Sequence, residues 1–428
     1  MNVWIFNHYA TSSFFESDGR HYNFSIHLKK LGYLPTIFCA NTVHNSTAAI
    51  SLGKKNYLKK EKDGIPFLFF RTVQYKGNGI LRLLNMLMFY VNILRYWKKC
   101  TEEVGSPDII IASSVHPLTC LAGLKIAKRM NIPCIIEIRD LWPETFVSMG
   151  ILKEKSLLAR MLYKLEYYIY SNADSIIFTM EGGKAYICEK KWDILQGGAI
   201  DLNKVYHINN GVNLQKFDAN AQKYPSDDKD LCNKENFNIV YTGSIRAANN
   251  IDNLVYAAEK LKKYSQIKFL IWGSGTYVNA LKHKIDELGI NNLIYKGVLP
   301  KEKIPGILTK SDVNLRHYKK MSIFRFGTSQ NKEFEYFAAG KPVLSTIDAG
   351  FSLIKKYQCG IEVNGENLQE LICACQNLYN LSRDEKRKME LNARNVAEAY
   401  DFSALTAKLI NVIEQTEKRY EEKAFKKN

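Results

Sequence analysis

The stretch 326-FGTSQNKEFEYFAAGKPVLST-346 decides the fold of this chain, because it sets a cation and a carboxylate at the start of a short helix that leads straight into a buried strand. Thr328, Ser329 and Asn331 are residue types that accept hydrogen bonds from the free N–H groups of a helix start. The helical pattern runs through Phe334, Phe337 and Ala338. Gly340 ends it, Pro342 prevents its continuation, and Val343 and Leu344 read as a short buried strand. A helix start offers N–H groups and a positive dipole end, which suit a diphosphate, and Lys332 adds a point charge. Glu335, one turn further in, cannot help hold phosphate and points instead to a pair of sugar hydroxyls. Periodicity by itself also accommodates an amphipathic helix with two solvated charges.

Outward from this segment, short apolar runs alternate with helical patterns along the whole chain, the mark of parallel sheets covered by helices. In the first half strands are expected at 3–7, 35–40, 67–71, 108–113, 134–139, 175–179 and 206–209. In the second half they are expected at 238–242, 268–272, 293–296, 312–317, 342–345 and 361–363. Between the halves, residues 213–236 are polar and aperiodic and read as a linker. The fold class is therefore α/β, with two doubly wound, Rossmann-like domains over 1–212 and 237–400 and a final helical segment over 401–428, which in proteins of this kind crosses back to the first domain.

Length and charge narrow the function classes. At 428 residues the chain exceeds one ordinary core and suits two. A net charge of +17 calls for an anionic partner: nucleic acid, membrane lipid or a phosphorylated substrate. The excess gathers at 54–62, at Lys98 and Lys99, and in the tail at Lys423, Lys426 and Lys427. No recognition-helix, zinc-finger or RNP-like string accompanies it, so nucleic acid is not expected as a partner. Nine cysteines, an odd number with no Cys-x-x-Cys pair, read as free thiols in a reducing compartment. The histidines show no metal-ligand spacing, so no metal site is expected.

The amino terminus enters as a strand and has no signal-peptide pattern. The apolar run 79–100 is interrupted by Arg82, Asn85, Asn92 and Arg95, too often for a membrane span. With Arg82, Arg95, Trp97, Lys98 and Lys99 at its edges it suits an anionic membrane interface. It equally suits a core helix of the first domain.

Lys332, Phe334, Glu335, Tyr336, Gly340, Pro342 and Val343 together resemble the donor-binding string of retaining GT-B glycosyltransferases of family 4, especially those building O-antigens and capsules. The segment 134-CIIEIRDLWPETFVSMG-150 is similar to the Arg-Asp-Leu-Trp-Pro-Glu string of the same branch. The resemblance implies two domains facing across a cleft and a metal-independent reaction with no cofactor. It further implies transfer from a nucleotide sugar, UDP being the commonest carrier, to a polyprenyl-diphosphate-linked glycan. The expected location is the inner, cytoplasmic face of the membrane, held peripherally.

Residue by residue, the resemblance gives Glu335 the donor ribose. Gly243, Arg246 and Lys332 receive the diphosphate, Gly273 and Gly275 the nucleotide-side loop, and Gly19 the loop beneath the phosphates. Many members carry a second glutamate eight positions before the first; here that position is Gly327, whose loop N–H groups are one substitute. The Lys that usually follows Arg246 is replaced by Asn249 and Asn250, which leaves Lys332 as the second cation. Arg139 and Asp140 are placed at the reaction centre, with an ion pair and a Trp142-Pro143 packing corner as the structural alternative. Arg20, His116 and Glu181 are placed at the acceptor, and Asn210 to Asn213 at a tight turn. Two other classes remain open: a GT-B nucleotide-sugar 2-epimerase, and a non-catalytic basic protein that binds membrane or nucleic acid.

Overall fold

The computed structural model describes residues 1–114 and 116–425; Lys426 and Lys427 of the basic tail lie outside the described residues. The chain forms two units, one of Met1–Asn209 with the C-terminal helix Phe402–Phe425, the other of Asn210–Asp401.

In the first unit, β1 (Asn2–Phe6), β2 (Leu34–Ala40), β3 (Tyr57–Lys62), β4 (Ile65–Phe70), β5 (Ile109–Ser114), β6 (Cys134–Ile138), β7 (Ser175–Phe178) and β8 (Val205–His207) form one sheet. Its order is β3-β4-β2-β1-β5-β6-β7-β8, parallel except for β3. Runs such as Val3 to Phe6 and Ile109 to Ala112 are buried along their whole length, as strands covered by helices on both faces must be. The exception, β3, lies within the basic run 54–62, where no strand is expected from the sequence. It is an edge strand turned back on β4 through Asp63-Gly64, both at positive φ, the backbone a two-residue hairpin requires. Its lysines keep that edge from pairing with another chain.

One carboxylate lies in the core of this unit. Glu137 on β6 accepts from Arg20 Nε at 2.8 Å and from Ser113 Oγ at 2.9 Å, with His21 Nε2 3.0 Å from its Oε1, while His21 Nδ1 lies 2.8 Å from the Asn7 amide. Burial alone would raise the Glu137 carboxyl; Arg20 and His21 outweigh it and hold the group well below the ordinary carboxylate range. The rest of the Arg20 guanidinium donates to the carbonyls of Asn209 and Ile208 at 2.5 and 2.9 Å. Arg20, expected at the acceptor, is therefore a buried structural residue.

The C-terminal helix packs on the Arg20–Lys30 helix, with Phe402 edge-on to Phe24 at 5.5 Å. Its far end is tied down by a hydrogen bond between Thr416 Oγ1 and Ser175 Oγ, and by Arg419, which donates to Ser175 Oγ and to the Asn203 carbonyl.

The second unit has β9 (Phe237–Thr242), β10 (Ile267–Trp272), β11 (Leu293–Gly297), β12 (Val313–Arg316), β13 (Val343–Ser345) and β14 (Gly360–Glu362), all parallel, in the order β11-β10-β9-β12-β13-β14. The chain reverses its direction of travel across the sheet between β9 and β12, and ligands of such sheets sit outside the carboxyl ends of the strands at this point.

The expected linker is not one. Residues 213–236 include the helix Leu214–Lys223, capped by Asn213 and anchored by the buried Phe217, and a shorter turn of helix, Lys229–Cys232, capped by Asp228. Lys296 grips both Asp228 and Asp230, at 2.8 and 2.5 Å, so this stretch belongs to the second unit. With one buried apolar residue in ten, the first of these helices has no periodic signature to read.

Removing Arg20 while Glu137 stays behind leaves a buried carboxylate without its main cation, facing His21, Ser113 and the more remote charge of Arg139. Arg20→Met is expected to destabilise the first unit by about 3–5 kcal/mol in urea unfolding at neutral pH. The pair's contribution is present above the ordinary carboxylate pKa of 4.5 and lost as pH falls through the depressed folded value, so the difference between wild type and variant shrinks in acid.

Candidate functional site

The site of the second unit is built where backbones pack directly on one another. β9 ends in Thr242-Gly243 and β10 in Trp272-Gly273; a Cβ on Gly273 would lie 1.7 Å from the Gly243 carbonyl oxygen, and one on Gly275 2.0 Å from that of Ile245. No residue but glycine fits either position. A Cβ on Gly243 would meet Lys332 Nζ at 2.9 Å, so the strand end and the lysine share one small space.

Lys332 lies in the first turn of the Asn331–Ala338 helix. Its ammonium stands 4.6 Å from the centre of the Tyr241 ring and donates to the Tyr241 hydroxyl at 3.4 Å. Burial and then the neighbouring Arg316 push its pKa down to about 8, against the pull of Glu335. Glu335 is half-buried on the same helix. The next residue, Tyr336, is fully buried, accepting from the Thr242 N–H and donating to the Thr242 carbonyl at 3.2 Å, which locks the helix to β9.

The helix begins differently from the sequence expectation. Its N-cap is Gln330, without a side-chain cap bond. The Thr328 hydroxyl instead accepts from Arg316 Nη2, and Ser329 Oγ accepts from the Asn210 N–H at 2.8 Å. The Gln330 side chain thus supplies no cap, and the Glu333 N–H is met by the Gln330 carbonyl at 3.1 Å. Gly327, at φ 89°, donates its own N–H to the Phe324 carbonyl at 2.9 Å, so that N–H is spent inside the protein and cannot stand in for a missing carboxylate.

Two buried residues here went unread in the sequence. Arg316 at the end of β12 is 1% exposed and pairs through Nη1 with Glu333 Oε1 at 2.8 Å. Burial pushes the Glu333 carboxyl up, and Arg316 pulls it back. His317 beside it lies 2.7 Å through Nε2 from the Asn250 carbonyl and 3.0 Å through Nδ1 from Thr346 Oγ1; burial drives its pKa to about 4, so it is neutral, an Nε2–H donor and Nδ1 acceptor. Arg246 is exposed on the loop after β9, with its backbone N–H on Asn249 Oδ1.

In the first unit the expected residues also lie at strand ends. Gly19, at φ 111°, precedes the Arg20–Lys30 helix, and a Cβ there would strike Ser13 Oγ at 2.5 Å. Arg139, half-buried after β6, donates its N–H to Ser114 Oγ at 3.3 Å, and Asp140 follows, exposed. A cis bond joins Trp142 to Pro143. Glu181 is half-buried in the turn after β7. His116, expected at the acceptor, is 1% exposed, bonded through Nε2 to His8 Nδ1 at 2.6 Å, and burial takes its pKa to about 3. It is a neutral core histidine.

The run 79–100 forms most of one helix, Ile80–Val104. One side buries Asn85, Met86, Phe89 and Ile93; the other leaves Ile80, Leu81, Leu84, Leu87 and Val91 exposed, with Arg95, Lys98 and Lys99 exposed further along. Arg82 donates to Asn78 Oδ1 at 2.6 Å, and Lys98 sits 5.7 Å from the Trp97 ring. Among the described residues no helix is long and apolar enough to cross a membrane, and no three His, Cys, Asp or Glu side chains gather as a metal site.

Two reversing parallel sheets, the second with a cation, a carboxylate and an uncapped helix start at its switch point, define the GT-B class. Solved GT-B proteins share the fold: the E. coli trehalose-6-phosphate structure bound with UDP-2-fluoro glucose superposes with a TM-score of 0.70 at 13% identity over 97% of this chain and 99% of that one. HepE of Anabaena, solved with UDP and glucose, gives 0.63 at 13% identity over 97% and 100%. The chain belongs to glycosyltransferase family 4: residues 21–216 match the model described as Glycosyltransferase Family 4 and residues 225–396 that of Glycosyl transferases group 1. Two curated relatives are WbjE of Pseudomonas aeruginosa, named as a glycosyltransferase, 23% identical over 278 residues, and TuaH of Bacillus subtilis (strain 168), named for teichuronic acid biosynthesis, 25% identical over 271 residues. The matches span 64% of the length of each relative and 64% and 63% of this chain.

The depressed lysine gives a direct reading of the site. Two ammonium groups, Lys332 and the buried Lys204, have pKa values of about 8. Lysine-selective NMR titration is expected to find both, and Lys332→Arg to remove one while leaving the other.

Proposed function

We propose that this protein is a retaining glycosyltransferase that moves a sugar from a nucleoside-diphosphate donor, UDP-linked in the first instance, to a polyprenyl-diphosphate-linked glycan precursor of a surface polysaccharide. The observation that carries the reading is the pairing of Lys332 and Glu335 one turn apart on a helix whose start lies at the switch point of the second sheet. Lys332, held close to Gly243, would take the diphosphate together with the first N–H groups of its helix, and Glu335 would accept from the ribose hydroxyls. The names of TuaH and of the neighbours solved with UDP ligands support donor class and pathway type.

In this reading the leaving diphosphate is stabilised by Lys332 and Arg246 together with backbone N–H groups, without a metal. The acceptor hydroxyl attacks on the face the leaving group vacates, and the phosphate takes its proton. Arg139, Asp140 and Glu181 are the first-unit candidates for holding the acceptor; the buried Arg20 and His116 are not. The exposed apolar side of the Ile80–Val104 helix would rest on the anionic inner face of the membrane, peripheral to it, where a polyprenyl-linked acceptor resides.

A calorimetric screen of UDP-, GDP- and dTDP-sugars should identify one donor class. Glu335→Ala is expected to raise the dissociation constant for that donor at least about tenfold, the loss of charge-assisted hydrogen bonds, with an unchanged thermal transition. Wild-type affinity in that variant would remove Glu335 from the pocket.

For the membrane face, the variant Leu81→Ser/Leu84→Ser/Leu87→Ser is expected to stay folded and lose most of its sedimentation with phosphatidylglycerol-containing vesicles. Equal sedimentation of variant and wild type would refute the surface.

A further inference from the structure

The residue under the site is more informative than those around it. Arg316 is buried at the end of β12, and its guanidinium faces three points of the chain that enters the Asn331–Ala338 helix: Nη2 donates to Thr328 Oγ1, Nε approaches Gln330 Oε1 at 3.4 Å, and Nη1 donates to Glu333 Oε1 at 2.8 Å. Residues 328–333 are thereby fastened to a central strand of the sheet from below. Asn210 fastens the same segment from another side, donating its N–H to Ser329 Oγ at 2.8 Å and its amide to the Ser329 carbonyl at 2.6 Å.

A buried ion pair is a poor source of stability, since well-packed apolar residues of the same volume commonly do as well or better. What the planar fork of an arginine supplies is geometry, because its donors leave in fixed directions. Here those directions run to the last residues before a helix start that has no side-chain cap, next to the confined Lys332.

We infer that Arg316 is a positioning residue that, with Glu333 and the Thr328 hydroxyl, fixes the 328–330 segment so that the helix start and Lys332 grip the outer phosphate of a nucleoside diphosphate. This rests on the donor assignment made above and deepens it: the pair sets selectivity for diphosphate over monophosphate without touching either.

The test compares UDP with UMP, which differ by that phosphate, in calorimetric titrations of three full-length variants. Thr328→Val removes the hydroxyl and keeps the ion pair; Thr328→Ser restores the hydroxyl; Arg316→Met/Glu333→Leu replaces the pair with apolar residues of similar size. The expected result is that Thr328→Val and the double variant lose about tenfold in affinity for UDP, with UMP affinity within about twofold of wild type, and that Thr328→Ser binds both like wild type. A purely structural role would lower thermal stability and leave the ratio of UDP to UMP affinity unchanged; that ratio, unchanged in a folded Thr328→Val, overturns the inference. Should the double variant fail to fold, the Thr328 pair decides alone. If wild type binds none of UDP, GDP or dTDP, the donor reading itself fails and the inference falls with it; if wild type binds UDP and only the ratio fails to move, the donor reading stands and the positioning role does not.

Discussion

Close approach of main chain to main chain at the ends of β9 and β10 is the constraint on which the second unit's site depends. Gly273 and Gly275 remove the side chains that would otherwise strike main-chain carbonyls at 1.7 and 2.0 Å, distances no rotamer could relieve, while Gly243 leaves room for the Lys332 ammonium. The Lys332 ammonium stands beside Gly243, and burial, with Arg316 next, pushes its pKa down to about 8. A cation poised in this way is costly to hide and favourable to pair, which is the electrostatic condition for binding an anion firmly. The Tyr336 bond to both main-chain groups of Thr242 keeps the helix bearing Lys332 and Glu335 in register with the strand.

Much of this was legible in the sequence because it follows from local rules. Glycines at strand ends, the Gly340-Pro342 stop and the alternation of apolar runs all act over a few residues, and strand positions in both halves fell within a residue or two of those observed. The two similar halves were legible for the same reason. Most of what escaped at single residues shares one property: a charged or polar residue doing the work of a core residue. Glu137, Arg316 and Glu333 are each no more than 2% exposed, yet nothing in composition or spacing separates them from solvated charges. Arg20 and His116 were visible as residues of interest, but their partners lie 117 and 108 positions away, and distance along the chain hid the fact that they face inward. The helix of 214–223 escaped because a single buried phenylalanine holds it. Only β3 left a signal that could have been read, the Asp63-Gly64 turn.

The two units solve one problem with similar means. Each carries a buried arginine near its switch point, paired with a carboxylate: in the first the arginine opens a helix and the acid is on a strand, in the second the arginine ends a strand and the acid is on a helix. In both, the remaining donors of the guanidinium go to a further stretch of chain, the distant carbonyls at 208–209 in one and the nearby 328–330 segment in the other. A side chain with five donors in a plane is well suited to tying several loops to one sheet.

The C-terminal helix has a further consequence for how the molecule comes to be. Because Phe402–Phe425 belongs to the unit built from residues 1–209, that unit is split by the whole of the second one. During synthesis the second unit has all of its parts as soon as Asp401 has emerged, whereas the first must wait with the Phe24 side of its helix uncovered until the last helix arrives. The earlier-made unit is thus completed after the later-made one, and a ribosome that stops between Asp401 and Phe425 strands the older of the two, not the younger.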